Sequence, residues 1–423
     1  MPAHLEVSLP HTRRRMSGAI LWHALTLATL ASVAGVVAWD EWRPWVNAPQ
    51  PGFGALLALT AVAYVTSVAM SFRLSRYPLA QPGALAAVNV TFAFALLVVF
   101  LLFTRWYYSR SFLITSYLVA LTWQTFGHLL YPRQTLKLAI VPGGELPDLS
   151  AAPRVQCRVL SEARLDGGVD ALVVDLNADL ETEWRRLITL SSAKGLPVYD
   201  PPGIRETLTG RLTLEEARED LPATLARIRV YSHLKRFADL AGTLFLAPLV
   251  ILVSLIVALF VALDSRGPVL FVQERVGVGG RTFRLLKFRS MRVDADANGS
   301  QFAGENDDRI TRVGGFLRKF RLDELPQFWN VLKGDMSLVG PRPEQVPFVQ
   351  QFERDIPMYS YRHLVRPGIT GWAQVAQGYA ADTDETRVKL EHDLYYVKHL
   401  SAWLDLHVLI KSVGVVLSGS GAR

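Results

Sequence analysis

Two adjacent acidic residues, Asp323 and Glu324, carry the clearest chemical signal in this sequence. They lie between a basic segment, Val313–Arg321, and an apolar segment that begins at Pro326. Proline is best tolerated at the first position of a helix, so we predict that the pair lies where one helix ends and the next begins. Free N–H groups at such a junction favour anions, including phosphate. The pair could attack phosphorus and hold Mg²⁺ together with substrate phosphates, or it could only cap a helix.

Cationic residues suited to phosphate lie on both sides of this pair in the sequence. Lys287 and Arg289 are two positions apart, and on a strand such residues point to the same face. They could bind phosphate, or they could reach from a lipid surface towards water. Arg342 lies between Pro341 and Pro343, which fixes its backbone and lowers the entropy cost of a bidentate phosphate contact. Carboxylates beside so many cations are expected to stay ionised.

Long apolar segments are the elements that must position this chemistry. Half of the 423 residues are hydrophobic and only 20% are charged, which excludes a disordered chain and argues against an entirely soluble one. Apolar runs lie at roughly 17–38, 54–72, 84–104 and 111–131, and a helix needs about 20 apolar residues to cross a bilayer. We predict four transmembrane helices. Buried helices of a soluble core, or a signal peptide in the first run, are the alternatives.

Basic residues predict the orientation of these helices. Those before the first run, between the second and third, and after the fourth fall on one side if each run crosses: Arg13–Arg15, Arg73, Arg76, Arg133 and Lys137. Cytoplasmic loops carry an excess of lysine and arginine. Both ends of the bundle are therefore expected to face the cytoplasm, with the protein a multi-pass component of a bacterial inner membrane.

A fifth uncharged run covers residues 240–263. Its length fits a crossing helix, but basic residues flank it on both sides, among them Lys235 and Arg266. Pro248 within the run removes a backbone donor and bends a helix. We predict a re-entrant helix that enters and leaves on the cytoplasmic face. A fifth crossing is the alternative.

Short apolar runs alternate with a helical pattern between residues 134 and 200. Leu136–Val141, Ala171–Val174 and Leu196–Tyr199 have the length of strands, and Glu181–Ser192 is typical of a helix. This alternation predicts a small α/β domain with a partly parallel sheet. The turn after the first strand lacks the spacing of a dinucleotide fingerprint, so a spacer or regulatory domain is favoured.

The predicted fold is a membrane protein of mixed α and α/β class. It comprises a four-helix transmembrane domain (1–132), a cytoplasmic, Rossmann-like α/β domain (133–230) and a mostly α catalytic domain with the re-entrant helix (231–423). The single cysteine, Cys157, excludes an intramolecular disulfide. The net charge of +7 suits an anionic partner. Nucleic acid is a poor candidate, since the cations cluster beside membrane segments.

Several short motifs, taken in this order, resemble those of the bacterial sugar transferase family, the monotopic polyprenyl-phosphate phosphoglycosyl transferases. The match runs from Lys235 to about Val416. The residues that carry it are Lys235-Arg236-Phe237-Ala238-Asp239, Lys287-Phe288-Arg289-Ser290-Met291, Leu322-Asp323-Glu324-Leu325-Pro326-Gln327, Gly340-Pro341-Arg342-Pro343, Pro367-Gly368-Ile369-Thr370-Gly371-Trp372 and Asp393-Leu394-Tyr395-Tyr396. Larger members of the family also resemble this chain in having four transmembrane helices and a cytoplasmic α/β domain before the catalytic part.

The resemblance implies a reaction and its substrates. Such enzymes move a sugar 1-phosphate from a UDP-sugar to undecaprenyl phosphate, with Mg²⁺, and release UMP. This step starts exopolysaccharide, capsule or O-antigen synthesis at the membrane. After Gln374, many members carry Asn-Gly where this chain has Val375-Ala376, so the donor sugar stays open, as does homo-oligomer formation. The alternative is an inactive, membrane-anchored assembly or regulatory protein of a polysaccharide export system.

The resemblance also implies roles for particular residues. Asp323 matches the nucleophile of a covalent phosphosugar–aspartate intermediate, and Glu324, with Asp323, matches the metal ligands. The other matches are the phosphate contacts Lys287, Arg289 and Arg342, the further family positions Asp393 and Arg309, and the break in the membrane helix at Pro248.

Overall fold

The computed structural model of the chain describes residues 12–40, 51–78, 80, 82–130, 135–144, 149, 152, 155–165, 168–292, 309–377 and 383–418. It divides into two compact units, Met1–Thr209 and Gly210–Arg423. The predicted division into three domains stays a prediction.

The first unit begins with four apolar helices. They are α1 (Thr12–Trp39), α2 (Phe53–Leu74), α3 (Pro82–Thr104) and α4 (Arg110–Leu130). Helix α1 packs on α4, and α3 packs on both α2 and α4. Polar side chains join them: Asn89 Nδ2 donates to Ser71 Oγ at 2.9 Å, and Gln124 Nε2 donates to Ser67 Oγ at 2.7 Å. Such interhelical hydrogen bonds are typical of helix packing in membranes.

Four described helices are long and apolar enough to cross a membrane. The qualifying segments are Trp22–Trp39, Phe53–Leu74, Gly83–Thr104 and Leu214–Asp264. The first three confirm the first three predicted segments. The fourth predicted segment does form α4, but polar residues such as Thr115 and Gln124 make it less apolar, and its crossing stays a prediction. So does the orientation, because Arg133 and the side chains of Arg13–Arg15 lie outside the described part of the chain.

A four-stranded parallel sheet follows in the first unit. Its strands are β1 (Leu136–Ile140), β2 (Val155–Val159), β3 (Ala171–Val173) and β4 (Val198–Tyr199), in the order β2-β1-β3-β4, with helices α5 (Thr182–Ala193) and α6 (Pro201–Thr209). Alternate residues of these strands point to opposite faces of the sheet, and an apolar cluster covers each face. The predicted strands and α5 are confirmed. Strand β2 was missed because it is an edge strand with exposed polar residues and no apolar run.

The second unit begins with the 51-residue helix α7 (Leu214–Asp264). A capping box sets its start, because the Thr213 side chain accepts from Glu216 N and the Glu216 side chain accepts from Thr213 N. The predicted membrane helix is the last part of this longer helix, since residues 230–239 contain neither glycine nor proline to end it. The predicted break of the helix at Pro248 is wrong: Pro248 is exposed, and helical backbone continues on both sides of it.

Both ends of the apolar part of α7 contact the rest of this unit. Before it, Asp239 accepts hydrogen bonds from Ser337 Oγ at 2.7 Å and Leu338 N at 3.2 Å. Near its end, Val257 and Val261 are buried in a cluster with Phe288 and Leu317. The apolar stretch therefore begins and ends against one folded body.

Short elements complete the second unit. They are strands β5 (Leu270–Val276), β6 (Thr282–Phe288), β7 (Ser337–Val339) and β8 (Gly368–Thr370), and helices α8 (Arg312–Lys319), α9 (Gln327–Lys333), α10 (Val346–Asp355), α11 (Trp372–Ala376), α12 (Thr383–Lys398) and α13 (Ala402–Ser418). Strands β5 and β6 form an antiparallel hairpin and β7 pairs in parallel with β8. Asp393 lies ten residues after the start of α12, in a helix without glycine or proline.

Candidate active site

The acidic pair lies at the predicted junction between two helices. Thr311 caps the start of helix α8, since its Oγ1 accepts from Gly314 N at 3.0 Å, and the helix ends at Lys319. Arg321 then adopts a left-handed conformation, with φ of 54°. A 3₁₀ turn over Leu322–Glu324 presents the two carboxylates before α9 begins. Non-glycine residues seldom adopt positive φ, and such strain is often found at functional sites.

The two neighbouring carboxylates experience different electrostatic environments. Asp323 and Glu324 are 8% and 5% exposed. Burial and the neighbouring charge of Glu324 raise the pKa of Asp323 to about 6, although Lys287, Arg342 and Arg318 oppose the shift. Burial would also raise the pKa of Glu324, but Arg342 and Lys287 outweigh it and lower that pKa to about 2. The expectation of ionised carboxylates thus holds for Glu324, and Asp323 still ionises below neutral pH.

Arg342 makes the closest contact with the pair. Its Nη2 donates to Glu324 Oε1 at 2.6 Å, and Arg321 Nη1 lies 3.9 Å from the same oxygen. Lys287 is near enough that Glu324 and Asp323 both favour its charged form, but burial and Arg342 lower its pKa to about 8. The structure therefore brings together Asp323, Glu324, Lys287 and Arg342 from distant parts of the sequence.

A buried asparagine explains how Lys287 reaches this position. Asn330 on α9 is 1% exposed. Its Oδ1 accepts from Leu286 N at 3.1 Å, and its Nδ2 donates to Arg284 O at 2.7 Å. These bonds fasten β6 to α9 beside Lys287. Sequence reasoning missed Asn330, because nothing in the local pattern separates it from an ordinary helical residue.

Arg318 is a second residue that sequence reasoning left out of the site. It was noted only as part of a basic helix, yet it acts on the charge of Asp323. Its Nη1 is buried without a hydrogen-bond partner. A buried donor without a partner costs free energy unless a ligand satisfies it. The available signal was its place on a basic helix that ends just before the acidic pair.

Arg289 has a different environment from Lys287. Strand β6 ends at Phe288, so the two do not share a strand face as predicted. The Arg289 guanidinium donates to Pro268 O at 2.5 Å, and to Ser265 O at 2.6 Å and Ser265 Oγ at 2.9 Å. These bonds fasten the chain just beyond the end of α7. The phosphate role of Arg289 stays a prediction.

The contacts described for the other two predicted positions, Arg309 and Asp393, are with residues outside the acidic pair. The backbone carbonyl of Arg309 accepts from Arg292 N at 2.9 Å. Asp393 is 1% exposed and binds Arg362, with Arg362 Nη2 donating to its Oδ2 at 2.7 Å. Sequence reasoning missed Arg362, which lies in a 3₁₀ turn over Tyr359–Leu364.

An apolar groove of about 530 Å³ lies beside the acidic pair. Its lining comes from α7, α8 and the residue before Asp323, and comprises Val253, Ile256, Val257, Phe260, Arg312, Val313, Phe316, Leu317 and Leu322. Arg312 is the charged residue of this lining. The groove could hold a hydrocarbon chain whose anionic end is near the cations.

The acidic pair fits a metal that is shared with substrate. Within the described residues, no group of three or more His, Cys, Asp or Glu side chains could hold a metal ion. Mg²⁺ is commonly held by one or two carboxylates together with water and substrate phosphates. Asp323 and Glu324 supply that number of carboxylates, and the nearby cations suit the phosphates.

Comparison with known proteins gives one family. The family model described as "Bacterial sugar transferase" matches residues 230–419. The chain is 46% identical over 366 residues to UDP-N-acetylgalactosamine-undecaprenyl-phosphate N-acetylgalactosaminephosphotransferase of Aeromonas hydrophila, with 86% of each chain covered.

Two further relatives match over a shorter region, and both are named UDP-glucose:undecaprenyl-phosphate glucose-1-phosphate transferase. The Xanthomonas campestris pv. campestris protein is 48% identical over 167 residues, which is 38% of this chain and 34% of the relative. The Escherichia coli K12 protein is 43% identical over 183 residues, which is 43% of this chain and 39% of the relative.

Proposed function

The chain belongs to the bacterial sugar transferase family, and from that premise we propose that it transfers a sugar 1-phosphate from a UDP-sugar to undecaprenyl phosphate and releases UMP. The observation that carries this proposal is a buried carboxylate pair in which Arg342 holds Glu324 at 2.6 Å while Asp323 keeps a pKa of about 6. The first donor to test is UDP-N-acetylgalactosamine, because the relative that matches over 86% of its length carries that sugar in its name.

In the first step, a carboxylate oxygen of Asp323 attacks the phosphorus that bears the sugar. The bond from this phosphorus to the oxygen that bridges to UMP breaks, and UMP leaves with the electron pair. The product is a sugar phosphate bound to Asp323. Covalent catalysis of this kind divides one difficult transfer into two easier steps.

In the second step, a phosphate oxygen of undecaprenyl phosphate attacks the same phosphorus. The bond to Asp323 breaks, the carboxylate is restored, and the lipid diphosphate sugar is formed. The apolar groove beside Leu322 supports this step, because it offers the isoprenoid chain a place next to Asp323.

The surrounding residues bind and neutralise phosphate charge. Arg342 bonds to Glu324, Lys287 is near enough for both carboxylates to act on its charge, and Arg318 has a buried donor that a phosphate oxygen could satisfy. Asp323 and Glu324 would hold a divalent cation, Mg²⁺, which when bound neutralises the phosphates and the leaving group. Charged donors fixed before reaction stabilise developing charge without reorganisation.

We place the reaction at the cytoplasmic face of a bacterial inner membrane. Both ends of the apolar stretch of α7 contact the rest of the second unit, which supports a re-entrant segment. An inactive assembly protein is not favoured, because both carboxylates are buried, Arg342 bonds to Glu324, and the charges of Lys287 and Arg318 act on the pair.

Asp323→Asn tests the proposed chemistry. In membranes supplied with UDP-sugars labelled in the sugar, we expect the unaltered protein to release UMP, to carry label transiently and to form labelled lipid. The variant should lose all three, because a neutral amide is a poor nucleophile. Asp355→Asn, at an exposed acid on α10, should behave as the unaltered protein. Full activity of Asp323→Asn would remove Asp323 as nucleophile.

A further inference from the structure

The loop that carries Arg342 is fastened at every residue. From Gly340 to Glu344, five consecutive residues each have a backbone group in a hydrogen bond. The bonds are Gly340 N to Thr370 O at 2.8 Å, Gly368 N to Pro341 O at 3.0 Å, Arg362 Nη2 to Arg342 O at 2.8 Å, Arg275 Nη1 to Pro343 O at 3.1 Å and Val276 N to Glu344 O at 3.0 Å. The two prolines restrict the same backbone further.

Arg362 is the residue that fastens position 342 itself. It is 3% exposed, and its guanidinium is shared among three partners. Nη2 donates both to Arg342 O and to Asp393 Oδ2, the latter at 2.7 Å. Nε also reaches Asp393 Oδ2 at 3.1 Å, and Nη1 donates to Tyr359 Oη at 2.8 Å. Asp393 therefore fixes the orientation of the Arg362 guanidinium, and Arg362 in turn fixes the main chain at Arg342.

We propose that Arg362, oriented by Asp393, is a positioning residue that holds the Arg342 guanidinium against Glu324. The inference rests on the proposed function, and it assigns Asp393 a role away from the substrate and the metal. Arg362 binds both Asp393 and the loop, and both residues are buried. Their effect on the reaction passes through the backbone of Arg342.

A fixed backbone at Arg342 should matter for the reaction because ordering a long side chain costs free energy. An arginine on a mobile loop must lose backbone and side-chain freedom before it can bind a phosphate or hold a carboxylate. Fixing its main chain in advance removes part of that cost from the reaction. Loss of Arg362 should leave Arg342 present but poorly placed.

A double-mutant cycle tests this coupling through the rate of UMP release. Arg362→Gln alone should lower kcat/KM by about tenfold or more, and Arg342→Ala should lower it further. In the Arg342→Ala background, Arg362→Gln should cost no more than about twofold, because the residue that it positions is gone. Independent, multiplicative losses would overturn the proposal.

Arg211→Gln is the matched control. Arg211 pairs with Glu391 on α12 at 2.7 Å, two residues from Asp393. This ion pair also involves α12 and is somewhat more exposed than the Arg362–Asp393 pair, and Arg211 makes no described contact with the loop. Any loss that it causes should multiply with that of Arg342→Ala. If it showed the same coupling as Arg362→Gln, the effect would belong to α12 and not to Arg362.

Amide hydrogen exchange over residues 338–346 tests the positioning role of Arg362 without a measurement of enzyme activity. We expect faster exchange in Arg362→Gln, near-normal exchange in Arg362→Lys, which keeps one donor, and no change in Arg211→Gln. Faster exchange throughout the second unit would indicate a general loss of stability and overturn the proposal. If no UDP-sugar gave UMP with the unaltered protein, the proposed function would fail, and the exchange result would still decide the role of Arg362.

Discussion

At the scale of single residues, the site separates two adjacent carboxylates by their surroundings. Arg342 bonds directly to Glu324, so that residue stays anionic, whereas Asp323 has burial and its neighbour's charge working against ionisation. A carboxylate with a raised pKa is a stronger nucleophile once it has lost its proton. This division suits Asp323 to attack and Glu324 to anchor cations.

The pH dependence of the reaction should report this division. Asp323 must be ionised, so kcat/KM should fall as pH drops below about 6. Lys287 must be protonated, and its pKa is lowered to about 8, so the rate should also fall above that pH. We expect a bell-shaped profile for UMP release.

Lys287→Arg provides the control for this profile. Arginine does not titrate in this range, so the variant should keep the acidic limb and lose the alkaline one. If the Lys287→Arg variant kept the alkaline limb, that limb would belong to the titration of a group other than Lys287.

At the scale of elements, helix α8 is held close to the chain that follows β6. A Cβ atom added at Gly314 would lie 2.0 Å from the backbone oxygen of Ser290, whereas one at Gly315 would meet only Ile310 Cγ2 at 3.9 Å. This close approach fixes the helix that presents Arg318 and leads into the acidic pair.

Gly314→Ala and Gly315→Ala form a matched pair that tests this contact. Gly314→Ala should destabilise the unit by about 1–3 kcal/mol through overpacking and should lower the rate of UMP release, since α8 must shift. Gly315→Ala should be neutral or stabilise by roughly 0.5–1 kcal/mol, because alanine is the better helix former. Thermal unfolding and UMP release measure both. Equal behaviour of the two variants would contradict the close packing.

At the scale of the whole molecule, the contacts of α7 bear on how the chain meets the membrane. From Asp239 to Val257 is 18 residues, or about 27 Å of helix, close to the thickness of the hydrocarbon core. A crossing helix would place these two residues at opposite faces of the membrane, yet both contact the rest of the second unit. A re-entrant segment avoids this conflict.

A reporter that is active only in the cytoplasm tests this topology. Fused after residue 423, it should be active, because the chain returns to the side on which it entered. A fusion after Tyr108, between the third and fourth apolar helices, should be inactive and serves as the control. An inactive reporter at both positions would indicate that α7 crosses the membrane as a fifth span, and would contradict the re-entrant arrangement.

The sequence by itself determined the apolar helices, most of the small parallel sheet, and the place of Asp323 and Glu324 between two helices. These features depend on neighbours within a few residues: hydropathy, capping groups and Pro326 act locally.

Only the tertiary structure decided which charges meet. Lys287 and Arg289 look equivalent in the sequence, but the charge of Lys287 is coupled to the two carboxylates, whereas Arg289 fastens the end of α7. Arg362 and Asp393 gave no local sign that they hold position 342. The physical reason is that a buried charge is stabilised by whichever partner packing brings within hydrogen-bond distance, and those partners lie tens of residues away along the chain.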